Sequence, residues 1–214
     1  MGRENKKEAV AALHREQIMV AAEQIFSEKG FAQTTIADIS NASAYSRRTI
    51  YAYYESKEDI LQHIIAKGLL ILKQDMESAL QTSSDFLGQY FAVCNAIRKY
   101  QIECPHSLEN VTSAKTSKLD LENLSPAVTQ IMSLGTEVNT LLAGLLQSGK
   151  EQGIVRQEII PMPTVYILWS NITSLMTLVH TKGAFIAKAF STTADDYLEY
   201  GLKQIINSIL EVHI

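Results

Sequence analysis

No proline precedes Pro105 in this chain, and the other three fall at Pro126, Pro161 and Pro163. Proline removes a backbone donor and clashes with the turn before it, so everything ahead of Pro105 is free to run as unbroken helix. The apolar pattern uses that freedom. From about Val10 to Lys29, the residues Ile18, Ala21, Ala22, Ile25 and Phe26 recur at the spacing of one helix face. Gly30 supplies the left-handed residue that closes such a helix, and Phe31 is placed to pack back on it. In "TTIADIS", Thr35 with Asp38 three residues later predicts a capping-box start to a second, short helix that packs through Ile36 and Ile39. "NASAY" interrupts it. Ser46 then caps a third helix reaching about Tyr54, and Ser56, followed by Glu58 and Asp59 in the first turn, opens a long fourth one through Leu61, Ile64, Ile65, Leu69 and Leu72.

Beyond Leu80 the spacing predicts helices over 83–103, 125–152, 163–182 and 194–212, joined across 104–124 by a polar connection with room for one short helix. The fold class expected is therefore all-α. A basic arm (1–14) leads into a three-helix helix-turn-helix domain (15–58) and a larger helical domain (59–214). With 46% hydrophobic and 20% charged residues, the chain can bury a sizeable core. It has no run of about 18 apolar residues and no secretory leader at its start, so the expectation is a cytoplasmic protein without a membrane partner. Cys94 and Cys104 are too far apart for a CxxC pair, and His106 does not complete a zinc set, so neither metal nor cofactor is expected. Motifs of metalloproteases, serine hydrolases, P-loops and dinucleotide folds are missing, and the five histidines are scattered, which argues against an enzyme.

A net charge of −4 argues at first against a polyanionic partner. Its distribution reverses that. The first 58 residues carry eight Lys/Arg and eight Asp/Glu, so the whole negative balance lies after Glu58. In "SRRTIYAYYESKED" (46–59), a helix starting after Ser46 turns Ile50 and Tyr54 towards the small core and Arg48 and Thr49 away from it, with Tyr51 and Tyr53 flanking. Arg47 lies nearer the core edge but is long enough to reach outward from the first turn. Two short helices with a tight turn describe a helix-turn-helix, whose second helix enters the major groove with its N-terminal residues on the base edges. An arginine there forks onto O6 and N7 of guanine for about 1–3 kcal/mol of discrimination. Thr49, Tyr51, Tyr53 and Lys57 are then expected to clamp phosphates, as are the free N–H groups beside Ser46 and Thr35.

From about Arg15 to Leu61 the sequence resembles the DNA-binding domain of the TetR family of bacterial transcriptional regulators, through "AAEQIFSEKGF", "TTIADIS" and "SRRTIYAYYESKEDIL". The resemblance implies that Arg47, Arg48, Thr49, Tyr51 and Tyr53 lie at the DNA, with Thr35, Ala37 and Lys57 at the flanking backbone. It also implies a C-terminal domain that binds a small molecule and dimerises through its last two helices. Two departures stand out: Ala44 replaces the turn glycine, and Tyr45 replaces a small aliphatic residue.

No transferable motif marks the C-terminal domain, so ligand candidates come from residue chemistry alone. They are Phe86, Tyr90, Cys94, Arg98, Met132, Tyr166, Trp169, Asn171, Thr173 and Met176. Asn171 and Thr173, inside the apolar run "YILWSNITSLMTLVH", and Arg98 need partners if buried, and a ligand is one such partner. His180 is expected near a helix C-terminus, where a cation suits the dipole. The last two helices carry more apolar surface than one packed face needs, which predicts a homodimer, two recognition helices about 34 Å apart and a near-palindromic operator. The expectation is a repressor released by a small molecule. The competing reading is a helix-turn-helix module that binds proteins without reading DNA.

Overall fold

The computed structural model describes residues 3–104 and 124–212. Eight helices occur among them: α1 (Arg3–Lys29), α2 (Ile36–Ser43), α3 (Arg47–Tyr51), α4 (Lys57–Ala79), α5 (Phe86–Glu103), α6 (Pro126–Glu151), α7 (Pro161–Phe190) and α8 (Ala194–Asn207). The all-α class expected from the periodicity is what the chain adopts. The described residues form two compact units, divided inside α4 between Leu70 and Ile71, with 124–133 belonging to the first unit and 134–212 to the second. The short helix expected within 104–124 falls on residues that are almost all outside the described ones.

In the first unit, Ile18, Ala22 and Phe26 of α1, Ile39 of α2, Ile50 of α3 and Ile60 of α4 are all buried. Gly30 closes α1 at φ +80°, with its N–H bonded to the Phe26 carbonyl at 2.9 Å, and the Phe31 ring meets Phe26 edge-on at 5.2 Å. The capping box of α2 is complete. Thr35 Oγ1 accepts from the Asp38 N–H at 3.3 Å, and Asp38 accepts from the Thr35 N–H at 2.8 Å. Tyr54, buried, donates its hydroxyl to the Arg15 carbonyl at 3.1 Å, and loss of water raises that phenol to about 12.

The second unit is built of longer helices around Met76, Phe86, Ile97, Leu146, Val165, Ile172 and Ile206. Gly149 of α6 permits a close approach there, since a Cβ at that position would stand 2.8 Å from the Phe86 ring and 2.7 Å from Val155. Tyr90 donates to the Leu202 carbonyl at 3.0 Å and so ties α5 to α8.

Several helix boundaries differ from expectation, among them the end of α3, at Tyr51 rather than near Tyr54, and the start of α5, at Phe86 rather than 83. α1 starts at Arg3, not near Val10, because the polar stretch "RENKKEA" consists mostly of good helix formers. α7 runs on to Phe190 in place of 182, passing Gly183 because buried Ile186 anchors the extra turns. Its prolines, Pro161 and Pro163, sit in the first turn, where their missing N–H groups have no helical partner to lose. At the other end, α8 stops at Asn207 rather than 212. The chain then turns to pair Leu210 with Val155, bonding Glu211 N–H to Ile154 O at 2.9 Å and Arg156 N–H to Ile209 O at 3.0 Å.

Candidate nucleic-acid interface and apolar cavity

The recognition helix α3 has only five residues, so its position depends on what holds its two ends. Ser46 holds the first: its Oγ accepts from the Thr49 N–H at 3.1 Å and lies 2.8 Å from Thr49 Oγ1. Buried Ile50 and Tyr54 pin the inner face. The turn before the helix is set by Ala44, at φ 58° and ψ 14°, a left-handed conformation that is strained for an L-residue with a Cβ. Tyr45 stabilises this turn from outside. Its hydroxyl donates to Gln17 of α1, its ring lies 5.0 Å from His14, and its carbonyl accepts from Ser40 at 2.7 Å.

This scaffold leaves Arg47 and Arg48 exposed, and neither guanidinium has an ion pair or side-chain hydrogen bond among the described residues. Tyr51 is 57% exposed beside them. Thr35 and Ala37 lie at the start of α2, with Thr35 exposed and Ala37 half-buried. The other expected contacts are already engaged. Lys57 donates to the carbonyls of Phe31 and Thr34 at 3.0 Å each and sits 4.6 Å over the Phe31 ring, closing the loop after α1. Tyr53 meets His14 Nδ1 at 3.0 Å and stacks under Arg15. At α2, the Thr35 N–H is bonded to the Asp38 carboxylate, which also pairs with Lys29 at 2.5 Å. Lys29 foremost, with Thr35, holds the Asp38 carboxyl well below the usual carboxylate range.

In the second unit, Phe86, Tyr90 and Trp169 converge on a small cavity with Val93, Ile97, Leu142, Leu145, Leu146, Val165, Leu168 and Ile172. Its volume is about 30 Å³. The cavity residues other than Phe86, Tyr90 and Trp169 were not singled out by sequence, because apolar spacing looks the same for a packed core and for a cavity wall.

The remaining ligand candidates lie elsewhere. Cys94 is buried beside Tyr90, and burial pushes its thiol up to about 12, so it is inert. Arg98 is not a buried cation awaiting a ligand; it pairs at the surface with Asp195 at 2.6 Å. Buried Thr173 gives its proton to the Trp169 carbonyl of its own helix at 2.8 Å and needs no further partner. Met176 is buried against a separate cleft that includes His180. Met132, Tyr166 and Asn171 are exposed, and the Tyr166 hydroxyl accepts from Asn139 at 3.2 Å. His180 is ten residues short of the end of α7, so the helix-terminus role expected for it does not apply.

Residues 18–64 match the family described as bacterial regulatory proteins, tetR family. The HTH-type transcriptional repressor BepR of Brucella suis is 26% identical over 202 residues, covering 85% of this chain and 82% of that protein. Among solved structures, the fatty acid degradation regulator FadR of Bacillus halodurans superposes with a TM-score of 0.67 at 21% identity, covering 90% of this chain and 94% of its own. FadR of Bacillus subtilis, in complex with stearoyl-CoA, gives 0.67 at 18% identity over 91% and 98%. Residues 18–64 thus carry a helix-turn-helix of the tetR family, and similarity to a DNA-binding transcriptional repressor extends along most of the chain.

Proposed function

We propose that the chain is a cytoplasmic repressor that occupies a near-palindromic operator as a homodimer and leaves it when an apolar small molecule enters the C-terminal unit. The observation that carries this reading is the pair of uncommitted guanidinium groups on a short helix fixed by its Ser46 cap and by buried Ile50. Arg48, with Arg47 beside it, reads guanine edges; Tyr51, Tyr53 and the α2 start around Thr35 and Ala37 supply backbone contacts.

Dimerisation is supported by α7, where exposed Ile167, Leu178 and Phe185 alternate with the small residues Ser174 and Thr181 along one stripe. By length and composition α7 would also pass as a membrane span, and a two-fold contact gives that apolar stripe a different burial. The ligand class follows from the cavity lining, which offers hydrocarbon and ring faces but no charge. A long-chain acyl compound such as the one bound by the Bacillus subtilis relative has a tail of that character. Because drug-sized ligands need about 300–1,000 Å³, binding must spread these helices, and that movement is the switch.

Trp169, the one tryptophan of the chain, lines the cavity and reports entry directly. Titration with stearoyl-CoA should shift its emission and weaken operator affinity by roughly 5- to 150-fold, the range of ordinary allosteric coupling. An unchanged emission together with unchanged affinity would defeat this ligand class.

A further inference from the structure

We propose that His14 decides whether Tyr53 can donate a hydrogen bond to a DNA phosphate, so that operator binding is coupled to the proton on His14 Nδ1. This rests on the reading above that Tyr53 lies at the DNA backbone. The geometry is specific: His14, in the middle of α1, places Nδ1 3.0 Å from the Tyr53 hydroxyl, 39 residues along the chain. The imidazole is wedged between two tyrosines, with ring centres 5.0 Å from Tyr45 in the turn and 5.8 Å from Tyr53 after the recognition helix.

One proton lies between Nδ1 and the hydroxyl oxygen, and its ownership sets what Tyr53 offers outward. When Nδ1 is bare, Tyr53 gives its O–H to the imidazole and presents only lone pairs, which repel a phosphate oxygen. When Nδ1 carries a proton, it donates to the Tyr53 oxygen instead. The Tyr53 O–H is then released for the phosphate. A neutral imidazole can meet this requirement by changing tautomer, but the approaching negative charge favours the imidazolium, which has protons on both nitrogens.

The charged groups nearest the imidazole are engaged with other partners. On its own helix, Arg15 holds its guanidinium carbon 5.4 Å over the Tyr53 ring, and Glu16 is paired with Lys67 of α4. From the turn, Tyr45 has its hydroxyl on Gln17. Among the described residues no carboxylate pairs with His14, whereas His63 has Asp59 beside it at 3.2 Å. His14 is thus a positioning residue acting through Tyr53.

The test uses the full chain and a fluorescein-labelled duplex selected by the wild-type protein from random sequences. Affinity is measured at constant salt near pH 6 and near pH 8 for wild type, His14→Gln and Tyr53→Phe. Wild type should bind more tightly at the lower pH by about twofold to tenfold, the size of one net hydrogen bond. His14→Gln keeps an amide N–H and should lose most of that pH ratio while retaining binding, and Tyr53→Phe should lose both the ratio and affinity. The same ratio in all three proteins would overturn the proposal and leave the DNA-binding reading intact. A Tyr53→Phe protein that binds like wild type at both pH values would instead remove Tyr53 from the backbone contact. As a second measurement on unmutated protein, the ¹⁵N signal of the His14 ring should show Nδ1 protonated in the complex; a bare Nδ1 there would also overturn it.

Discussion

In the N-terminal unit a five-residue helix is held by polar contacts from several other segments, while in the C-terminal unit helices of 14 to 30 residues are held chiefly by apolar packing. A short helix cannot sustain itself, because its nucleation cost is spread over too few hydrogen bonds. Ser46, Ile50, Tyr54 and the Tyr45 turn supply what it lacks, and their geometry aims α3. The long helices need no such guidance. Their contacts are interchangeable apolar surfaces, and a cavity persists where Phe86, Trp169 and Leu146 do not quite fill the space. One unit therefore specifies a direction, and the other holds the apolar cavity on which the proposed ligand response rests.

Substitutions in each unit should separate stability from recognition. The largest effect is expected from Phe86→Ala, which empties a fully buried ring site beside the cavity. It should cost about 3–5 kcal/mol in urea unfolding yet leave the sequence preference of the folded fraction unchanged. A changed preference would show that the two units are not separable in this way. Ala44→Gly comes next. Relief of the left-handed alanine should raise stability by about 1 kcal/mol, seen as a higher melting temperature of the N-terminal unit. If melting is unmoved or lowered, the turn strain inferred from φ 58° is not real.

The smallest effect is a pH dependence at the start of α2. Asp38 has its folded value depressed by Lys29 and Thr35, so its contribution is present above the unfolded value near 4 and is lost as pH falls towards the folded one. The difference in urea midpoint between wild type and Asp38→Asn should accordingly be steady from about pH 7 to pH 5 and close below about pH 4. A difference that persists in strong acid would mean the carboxylate charge is not what stabilises this cap.

What could be read from sequence divides along the same line. Thr35 with Asp38, Gly30 and Ser46 were legible because a cap is a local event, completed within three or four residues. The family resemblance flagged position 44 as a departure from a turn glycine, and the structure shows that the backbone there is left-handed. His14 was not legible, since nothing in the spacing links it to a tyrosine 39 residues away. Lys57 shows a different limit: a lysine after a recognition helix suggests a phosphate clamp, but three loop carbonyls claim it first. In the C-terminal unit, Phe86, Tyr90 and Trp169 line the cavity whereas Arg98, Met132, Tyr166 and Asn171 lie at the surface, a difference the sequence did not show, because inward and outward faces of a helix apolar nearly all round cannot be told apart by period.

The most direct test of the account is selection of bound duplexes from a random-sequence pool by wild-type protein and by the Arg47→Ala/Arg48→Ala double variant. Wild type should enrich a near-palindromic site, and the variant should lose preference for its guanine positions by roughly 5- to 150-fold while remaining folded. Failure of wild type to enrich any sequence, or equal enrichment of the same site by the variant, would contradict it.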